Sequence, residues 1–385
     1  MARKIKIAFI YDDRKVATGA GYINNLIAKK LRENGVIVKQ FYPRQNLIDH
    51  INSINLKGLA NILFFYSLLE HKEEILKCDL IQGTTYTPLT FIPFRIPVIS
   101  HFGSTTKGFL DNTPKANNIE EETRSVFYEL KKQKIIKELN LKTRRPLRDI
   151  AEIELYVASK SDKVIATSEK VKQELISGGI KKEKIVKIYN AIEDYWFNIS
   201  LNESTKENTN IIFLGRFGND VFNLKLKGVD RVIDIFKEFK DVNKKTIAIT
   251  TNEKFIEYFS KIENHQFFSN VQKDEIPKLL NNFFGSIVFI SSRYEGFSLS
   301  LIEAMSQGLI PVCYDVGVVP EIIKNGYNGF IVKNQKEAKE RIRFILGNKK
   351  ERIKMAKNAN KTALQFSADK MALEMIKVYK DVLNI

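Results

Sequence analysis

Ser291-Ser-Arg-Tyr-Glu-Gly-Phe-Ser-Leu-Ser-Leu-Ile-Glu-Ala-Met-Ser-Gln-Gly-Leu-Ile-Pro-Val-Cys-Tyr-Asp-Val-Gly317 reads as the joint of a strand–helix–strand unit. An apolar run from Ser286 to Ser291 has the character of a buried strand, Glu295 and Gly296 sit in a turn, and a helix opens near Ser298 or Ser300. The next strand is Ile310 to Tyr314. A helix that starts just past a strand's carboxyl end presents unpaired N–H groups and the positive end of its dipole, a setting that suits a phosphate. Gly296 lets the backbone come close to such a ligand. Seven residues separate Glu295 from Glu303, so one carboxylate acts from the turn and the other about two helical turns further on. Each can accept hydrogen bonds from vicinal hydroxyls, as on a ribose or a hexose edge. Ser300-Leu-Ile-Glu303 also fits a capping box, in which Glu303 would only satisfy a backbone N–H.

The same alternation of short apolar runs with helical periodicity extends over the chain, the pattern of parallel sheets covered by helices. In the first half, strands are predicted at Ile5 to Tyr11, Val36 to Tyr42, Asp79 to Gln82, Pro97 to Ser100, Lys163 to Thr167 and Lys184 to Tyr189. The loop Thr18-Gly-Ala-Gly21 follows the first of them, and the stripe Ile23, Leu26, Ile27, Leu31 marks a helix from Tyr22 to Arg32. Residues 198 to 209 are polar and aperiodic, which makes them the best linker. Strands resume at Asn210 to Leu214, Thr246 to Thr250, Gln266 to Phe268, Ser286 to Ser291 and Ile310 to Tyr314, and a last helical stripe runs from Ala368 to Leu383. The fold class is therefore α/β, with two doubly wound, Rossmann-like domains; 385 residues suit two domains of ordinary size.

Composition narrows the function. With 44% apolar and 28% charged residues the chain is globular rather than disordered. Cys78 and Cys313, each beside an apolar run, read as two buried thiols of a reducing compartment. The N-terminus runs straight into a strand and Gly58 to Leu69 is too short to span a bilayer, so a cytoplasmic protein without an anchor is expected. A net charge of +17 suits nucleic acid, an anionic membrane or an anionic substrate, although the richness in Lys, Ile and Asn also fits simple compositional bias. Nucleic acid is not expected, because no recognition motif accompanies the charge. A dinucleotide-dependent oxidoreductase would need a third glycine after Gly19 and Gly21, where the chain has Tyr22, Ile23 and Asn24. His50, His71 and His265 have no metal-ligand spacing, and Asp12-Asp13 is adjacent rather than spaced, so no metal is expected.

Taken whole, Ser291 to Val312 closely resembles the donor-site signature of the retaining GT-B-fold glycosyltransferases of family 4: glutamate, seven residues, glutamate, then Gly308-Leu-Ile-Pro311-Val312. Other stretches match the family in order. Gly215-Arg216 and Lys227-Gly228 resemble its diphosphate-binding Arg and Lys, with Gly218 to Leu226 as an insertion that leaves Lys225 as a competitor for Lys227. Val164 to Glu169 and Asn190-Ala-Ile-Glu193 resemble the passage into its linker, with Ala191 and Glu193 replacing the usual Gly and Asp, which weakens a ligand role for Glu193. His101, just past a strand, matches a histidine facing the donor sugar; its other reading is a structural hydrogen-bonding residue.

The resemblance implies a GT-B architecture. Residues 1–195 would form the acceptor-side domain, helix 368–385 would pack back on it, and 196–367 would hold the donor. It implies a metal-independent glycosyltransferase with no cofactor beyond a nucleotide-sugar co-substrate, UDP-sugar first and GDP- or ADP-sugar as alternatives. The acceptor would be a glycan or lipid-linked glycan of cell-envelope polysaccharide or glycolipid synthesis; a nonhydrolysing nucleotide-sugar epimerase shares the fold. His101, Arg216, Lys227 and Glu295 would be catalytic, and Gly19, Gly21, Gly296, Phe297, Ser298, Leu299 and Glu303 would bind the donor. Retention follows from the resemblance, with cations and helix-end amides stabilising charge on the departing diphosphate. Finally, Lys131 to Arg148 is strongly basic, with Ile135, Ile136, Leu139 and Leu141 available for an apolar side. It reads either as a peripheral contact with an anionic membrane at its inner face or as an ordinary solvated segment.

Overall fold

The computed structural model describes residues 3–12, 19–44, 60–205, 209–218 and 220–385. Thr18, Asp13, Gly58 and part of the 198–209 stretch lie outside the described residues. Two compact units emerge: residues 1–110, 143–191 and 366–385 form one, and 111–142 with 192–365 form the other.

In the first unit six parallel strands, β1 (Lys6–Ile10), β2 (Ile37–Phe41), β3 (Leu80–Thr84), β4 (Val98–Phe102), β5 (Lys163–Ala166) and β6 (Ile185–Lys187), lie in the order β2-β1-β3-β4-β5-β6. The second unit repeats the plan with β7 (Asn210–Arg216), β8 (Asn243–Ile249), β9 (His265–Ser269), β10 (Ile287–Ile290), β11 (Ile310–Tyr314) and β12 (Phe330–Val332), ordered β12-β11-β10-β7-β8-β9. Every strand pair is parallel. Strands covered by helices on both faces must be apolar throughout rather than alternating, and β4, β10 and β11 are buried at every residue.

Helices begin where the chain supplies a cap. Ser168 accepts from Val171 N, Asn252 from Phe255 N, Asn334 from Glu337 N and Ser367 from Lys370 N, each satisfying an amide that the helix leaves open. The helix Gly19–Glu33 buries Ile23, Leu26, Ile27 and Leu31. The last helix, Ala368–Leu383, packs against it. There Lys30 pairs with Asp369 at 2.9 Å, and Tyr379, wholly buried, donates to Gln82. Cys78 and Cys313 are free, buried thiols.

Three readings change. The helix after β1 starts at Gly19, so Gly19 and Gly21 form its first turn rather than a loop. The polar stretch near residue 200 belongs to the second unit, whose edge falls at Ile192: Trp196 is wholly buried, Gln307 donates to its carbonyl at 2.7 Å, and Asn281 holds Ser200 O at 3.0 Å. Residues 111–142, expected in the acceptor-side domain, pack in the second unit. Within them the helix Glu121–Lys132 runs into the basic segment, whose Ile135 and Ile136 are buried while Leu139 and Leu141 are half-buried.

Candidate active site

In the second sheet β7 and β10 are neighbours from which the chain departs in opposite directions, β7 toward β8 and β9, β10 toward β11 and β12. Ligands of open α/β sheets bind in the crevice outside the carboxyl ends of strands at such a switch point. Arg216 ends β7 there, exposed, opposite Ile249 of β8. Lys227 and Gly228 precede the helix Val229–Glu238, and Ser291 to Ser298 follow β10.

These stretches are stitched together by backbone. Gly228 has φ +60, and a Cβ on it would lie 2.1 Å from Ser291 O, so no other residue permits this approach. Ser291 Oγ donates to Lys227 O at 2.7 Å, and Arg293 N to Leu226 O at 2.7 Å. Lys227 Nζ is thereby set 2.6 Å from Glu295 Oε1, which also accepts from Ser292 Oγ at 2.8 Å. From β11's side Gly317, φ +52, closes on the same turn, where a Cβ would meet Glu295 O at 2.4 Å. Lys225 is removed as a competitor: its ammonium is buried and donates to Pro114 O at 2.9 Å and Asn140 Oδ1 at 3.4 Å.

The helix after the turn is Leu299–Ser306, with Ser298 at its N-cap making no side-chain cap hydrogen bond. Gly296, Phe297 and Ser298 are buried and lead into it, with Leu299 its first residue. Ser300 stands inside this helix and cannot cap it, so the capping-box reading of Glu303 fails. Instead Glu303, with 8% of its side chain exposed, pairs with Lys273 at 2.9 Å. Lys273 comes from the loop after β9, on the same carboxyl edge. Glu193 belongs to this group as well. Burial raises its carboxyl, Lys273 draws it back and Glu303 raises it further, while its Oε2 has no hydrogen-bond partner among the described residues. Sequence reasoning missed Lys273 and discounted Glu193. The available signal was position, since Lys273 lies in a loop that leaves the same carboxyl edge as Glu303.

Arg216, Lys227, Glu295, Gly296 to Leu299 and Glu303 thus fall in the second unit, and Gly19, Gly21 and His101 in the first. Gly19 opens its helix after β1, whose neighbour β3 marks that sheet's own switch point. His101 lies within β4 rather than past it, because the strand continues to Phe102; it stands between Thr84 of β3 and Ile165 of β5. Burial lowers its imidazole to about 4, the nearby Asn190 side chain offsetting a part. The ring is neutral at physiological pH. Neither His101 Nε2 nor Asn190 Oδ1 has a partner among the described residues.

Among solved structures, sucrose-phosphate synthase from Thermosynechococcus elongatus superposes with a TM-score of 0.74 over 99% of this chain and 100% of that one, at 14% identity. Anabaena HepE in complex with UDP and glucose gives 0.66 over 97% and 99%, at 18% identity. The fold is GT-B. On this GT-B frame residues 200–362, which include β7 to β12 and the stitched loops, match the family described as Glycosyl transferases group 1. An uncharacterised 41.2 kDa protein in the cps region of Klebsiella pneumoniae is 31% identical over 47% of this chain and 50% of its own length. An uncharacterised glycosyltransferase of Methanocaldococcus jannaschii is 28% identical over 59% and 62%. The N,N'-diacetylbacillosaminyl-diphospho-undecaprenol alpha-1,3-N-acetylgalactosaminyltransferase of Campylobacter jejuni is 34% identical over 29% and 30%. The matches therefore span between about a third and under two thirds of these relatives' lengths.

Proposed function

We propose that the protein is a retaining glycosyltransferase that moves a sugar from a nucleoside-diphosphate sugar, UDP-sugar first, to a lipid-linked or envelope glycan. The observation that carries this reading is the Lys227–Glu295 pair at 2.6 Å at the β7/β10 switch point, where Arg216 ends β7 and the helix Leu299–Ser306 begins without a side-chain cap. Breaking the anomeric C–O bond leaves negative charge on the β-phosphate and positive charge on the sugar. In this reading Arg216, Lys227 and the amides of Gly296 to Leu299 stabilise the first, as donors in a partly buried site. Glu295 accepts hydrogen bonds from the donor sugar, turning Lys227 over to the diphosphate as it does so. Glu303, held by Lys273, accepts from the ribose. His101, in the first unit, has a neutral ring whose Nε2 has no partner among the described residues and is available to a sugar hydroxyl. Two cations at the diphosphate do the work of a divalent metal, so the reaction is metal-independent in this reading. UDP bound to Anabaena HepE and the undecaprenol-linked name of the Campylobacter jejuni relative support the choice of donor and acceptor class.

The test is transfer itself. With a UDP-α-sugar and an undecaprenyl-diphosphate-linked saccharide the protein should release UDP and give an α-linked product, by proton NMR, in the presence of EDTA. A β-linked product overturns retention, loss of turnover in EDTA restored by magnesium overturns metal independence, and conversion of the sugar without acceptor makes the protein an epimerase.

A further inference from the structure

Residues 111–142 leave the first unit between β4 and the helix Arg145–Lys160 and are built into the second. Their helix Glu121–Lys132 packs on the helix Val229–Glu238. Lys225 reaches into them at Pro114 and Asn140, Lys237 pairs with Glu129 at 2.8 Å, and Asn252 donates to Ile135 O at 3.3 Å. At the start of this helix Glu120 occupies the N-cap position, yet its carboxylate makes no cap. It turns to two arginines.

Arg231 Nε donates to Glu120 Oε1 at 3.1 Å and its Nη2 contacts the same oxygen, while Arg293 Nη2 contacts Glu120 Oε2. Arg293 also grips Asp230 with both terminal nitrogens, at 2.8 and 2.6 Å, and Thr123, one turn into the inserted helix, donates to Asp230 Oδ2 at 2.6 Å. Two carboxylates and two guanidinium groups balance in charge. Asp230 is wholly buried, and Arg293 and Arg231 expose only 6% and 10% of their side chains. Burial pushes the Glu120 carboxyl up, but Arg293 and Arg231 outweigh it and hold it down at about 2, so it stays ionised throughout the working range.

The remaining contacts of the two arginines fall on the site's backbone. Arg231 Nη1 donates to Ser291 O at 3.0 Å, and its guanidinium lies 3.7 Å over the Tyr314 ring at the end of β11. Arg293 Nη1 donates to Lys225 O at 2.9 Å. The carbonyls they hold are two residues before Lys227 and four before Glu295. We propose that Glu120 is a positioning residue of the donor site: by fixing Arg231 and Arg293 it sets the spacing of Lys227 and Glu295, and thereby the affinity for the donor's diphosphate. The inference rests on the reading of Lys227 and Glu295 as donor-binding groups. Buried ion networks are best attested in this role, of fixing one arrangement rather than adding stability.

The experiment is calorimetric titration of the full chain with UDP, GDP and ADP in turn, the tightest being used throughout, on wild type, Glu120→Gln, Glu120→Asp and Lys227→Met. Near-ultraviolet circular dichroism confirms that each variant is folded. Lys227→Met should weaken binding about tenfold or more, the loss of one charge-assisted contact to phosphate. Glu120→Gln, whose side-chain partners are Arg231 and Arg293 rather than Lys227 or Glu295, should weaken it about five- to twentyfold, and Glu120→Asp should recover part of the loss. A folded Glu120→Gln that binds within twofold of wild type, while Lys227→Met does not, overturns the positioning role and leaves a structural one. Unchanged binding by Lys227→Met overturns the site reading itself. If Glu120→Gln does not fold, Thr123→Val removes the neutral hydroxyl that donates to Asp230 Oδ2 at 2.6 Å and lies 3.5 Å from Glu120 O, loosening the same network without altering its charge; affinity lower by about threefold supports the proposal, and unchanged affinity overturns it.

Discussion

Glu303 and Lys273 show what a single contact adds. A carboxylate with 8% of its side chain exposed, paired at 2.9 Å with an ammonium from another loop, is fixed in direction. If it receives the ribose, Glu303→Gln and Lys273→Met should each raise KM for the donor about tenfold with kcat within about threefold, the pattern of lost uniform binding. Steady-state kinetics at varied donor decides it. An equal fall in kcat with unchanged KM would instead move Glu303 to the reacting centre.

Glu154 offers a test with a defined sign. It is buried beside the start of the helix Thr106–Asn112, where Thr106 N and Oγ1 each lie 2.8 Å from one of its oxygens. Burial raises its carboxyl from 4.5 to about 7, against the pull of the Thr106 contacts. The folded state therefore keeps a proton that the unfolded chain has lost between pH 4.5 and 7. Stability from this group is complete below 4.5 and is lost as pH rises through 7, by roughly 3 kcal/mol. Glu154→Gln keeps both Thr106 contacts without a charge. Urea unfolding should find it level with wild type at pH 4.5 and more stable at pH 8; a gap independent of pH would contradict the assignment. The buried His101 and the half-buried His265, each lowered to about 4 mainly by loss of solvent, act oppositely, their stability fully present above about 6.5 and lost as pH falls toward 4. They are common to both proteins and cancel in the comparison.

Among elements, the strands were legible because burial on both faces leaves a continuous apolar run. β11 was read to its exact residues, and β4 only to Ser100, because His101 looks polar although its strand is covered on both sides. β12 escaped: Phe330–Val332 is three residues long, too short for any period, and exists by pairing with β11. The site was legible along the Ser291–Gly317 stretch, where residue types and spacing are contiguous. It was not legible for Lys273, which meets Glu303 only once the sheet has brought two loops to one edge. Gly228 belongs to this scale, since it joins a helix to a strand. Gly228→Ala must place a Cβ 2.1 Å from Ser291 O at φ +60. The positive φ alone costs about 1–3 kcal/mol, and a backbone carbonyl can yield only by moving the turn that carries Glu295. Chemical denaturation should show at least that loss, together with weakened nucleotide binding; an Ala variant as stable and as active as wild type would mean the two loops do not approach this closely.

Across the whole molecule the chain passes between its two units four times, at residues 110, 142, 191 and 365. The transfer of 111–142 to the second unit left no local trace, because it is decided by pairs such as Glu120 and Arg231, 111 positions apart. The same placement alters the outlook for membrane contact. Among the described residues no helix is long and apolar enough to cross a bilayer. With Ile135 and Ile136 buried and Leu139 and Leu141 half-buried, attraction to an anionic surface rests mainly on exposed basic residues such as Lys131, Lys132, Lys134 and Lys137, at roughly 1 kcal/mol each before screening. Co-sedimentation with anionic vesicles should accordingly be abolished by high salt, and salt-resistant binding would require an apolar contact elsewhere.

The central claim, that the carboxyl edge at β7 and β10 binds a nucleoside-diphosphate sugar, is tested most directly by thermal unfolding with a panel of UDP-, GDP- and ADP-sugars. A ligand bound only by the folded state stabilises it by about 2.7 kcal/mol at a hundredfold excess over Kd. At least one of the panel should raise the unfolding temperature of the wild type by several degrees and leave that of an Arg216→Ala, Lys227→Met variant unmoved. No response to any nucleotide sugar, or an equal response in the variant, would contradict it.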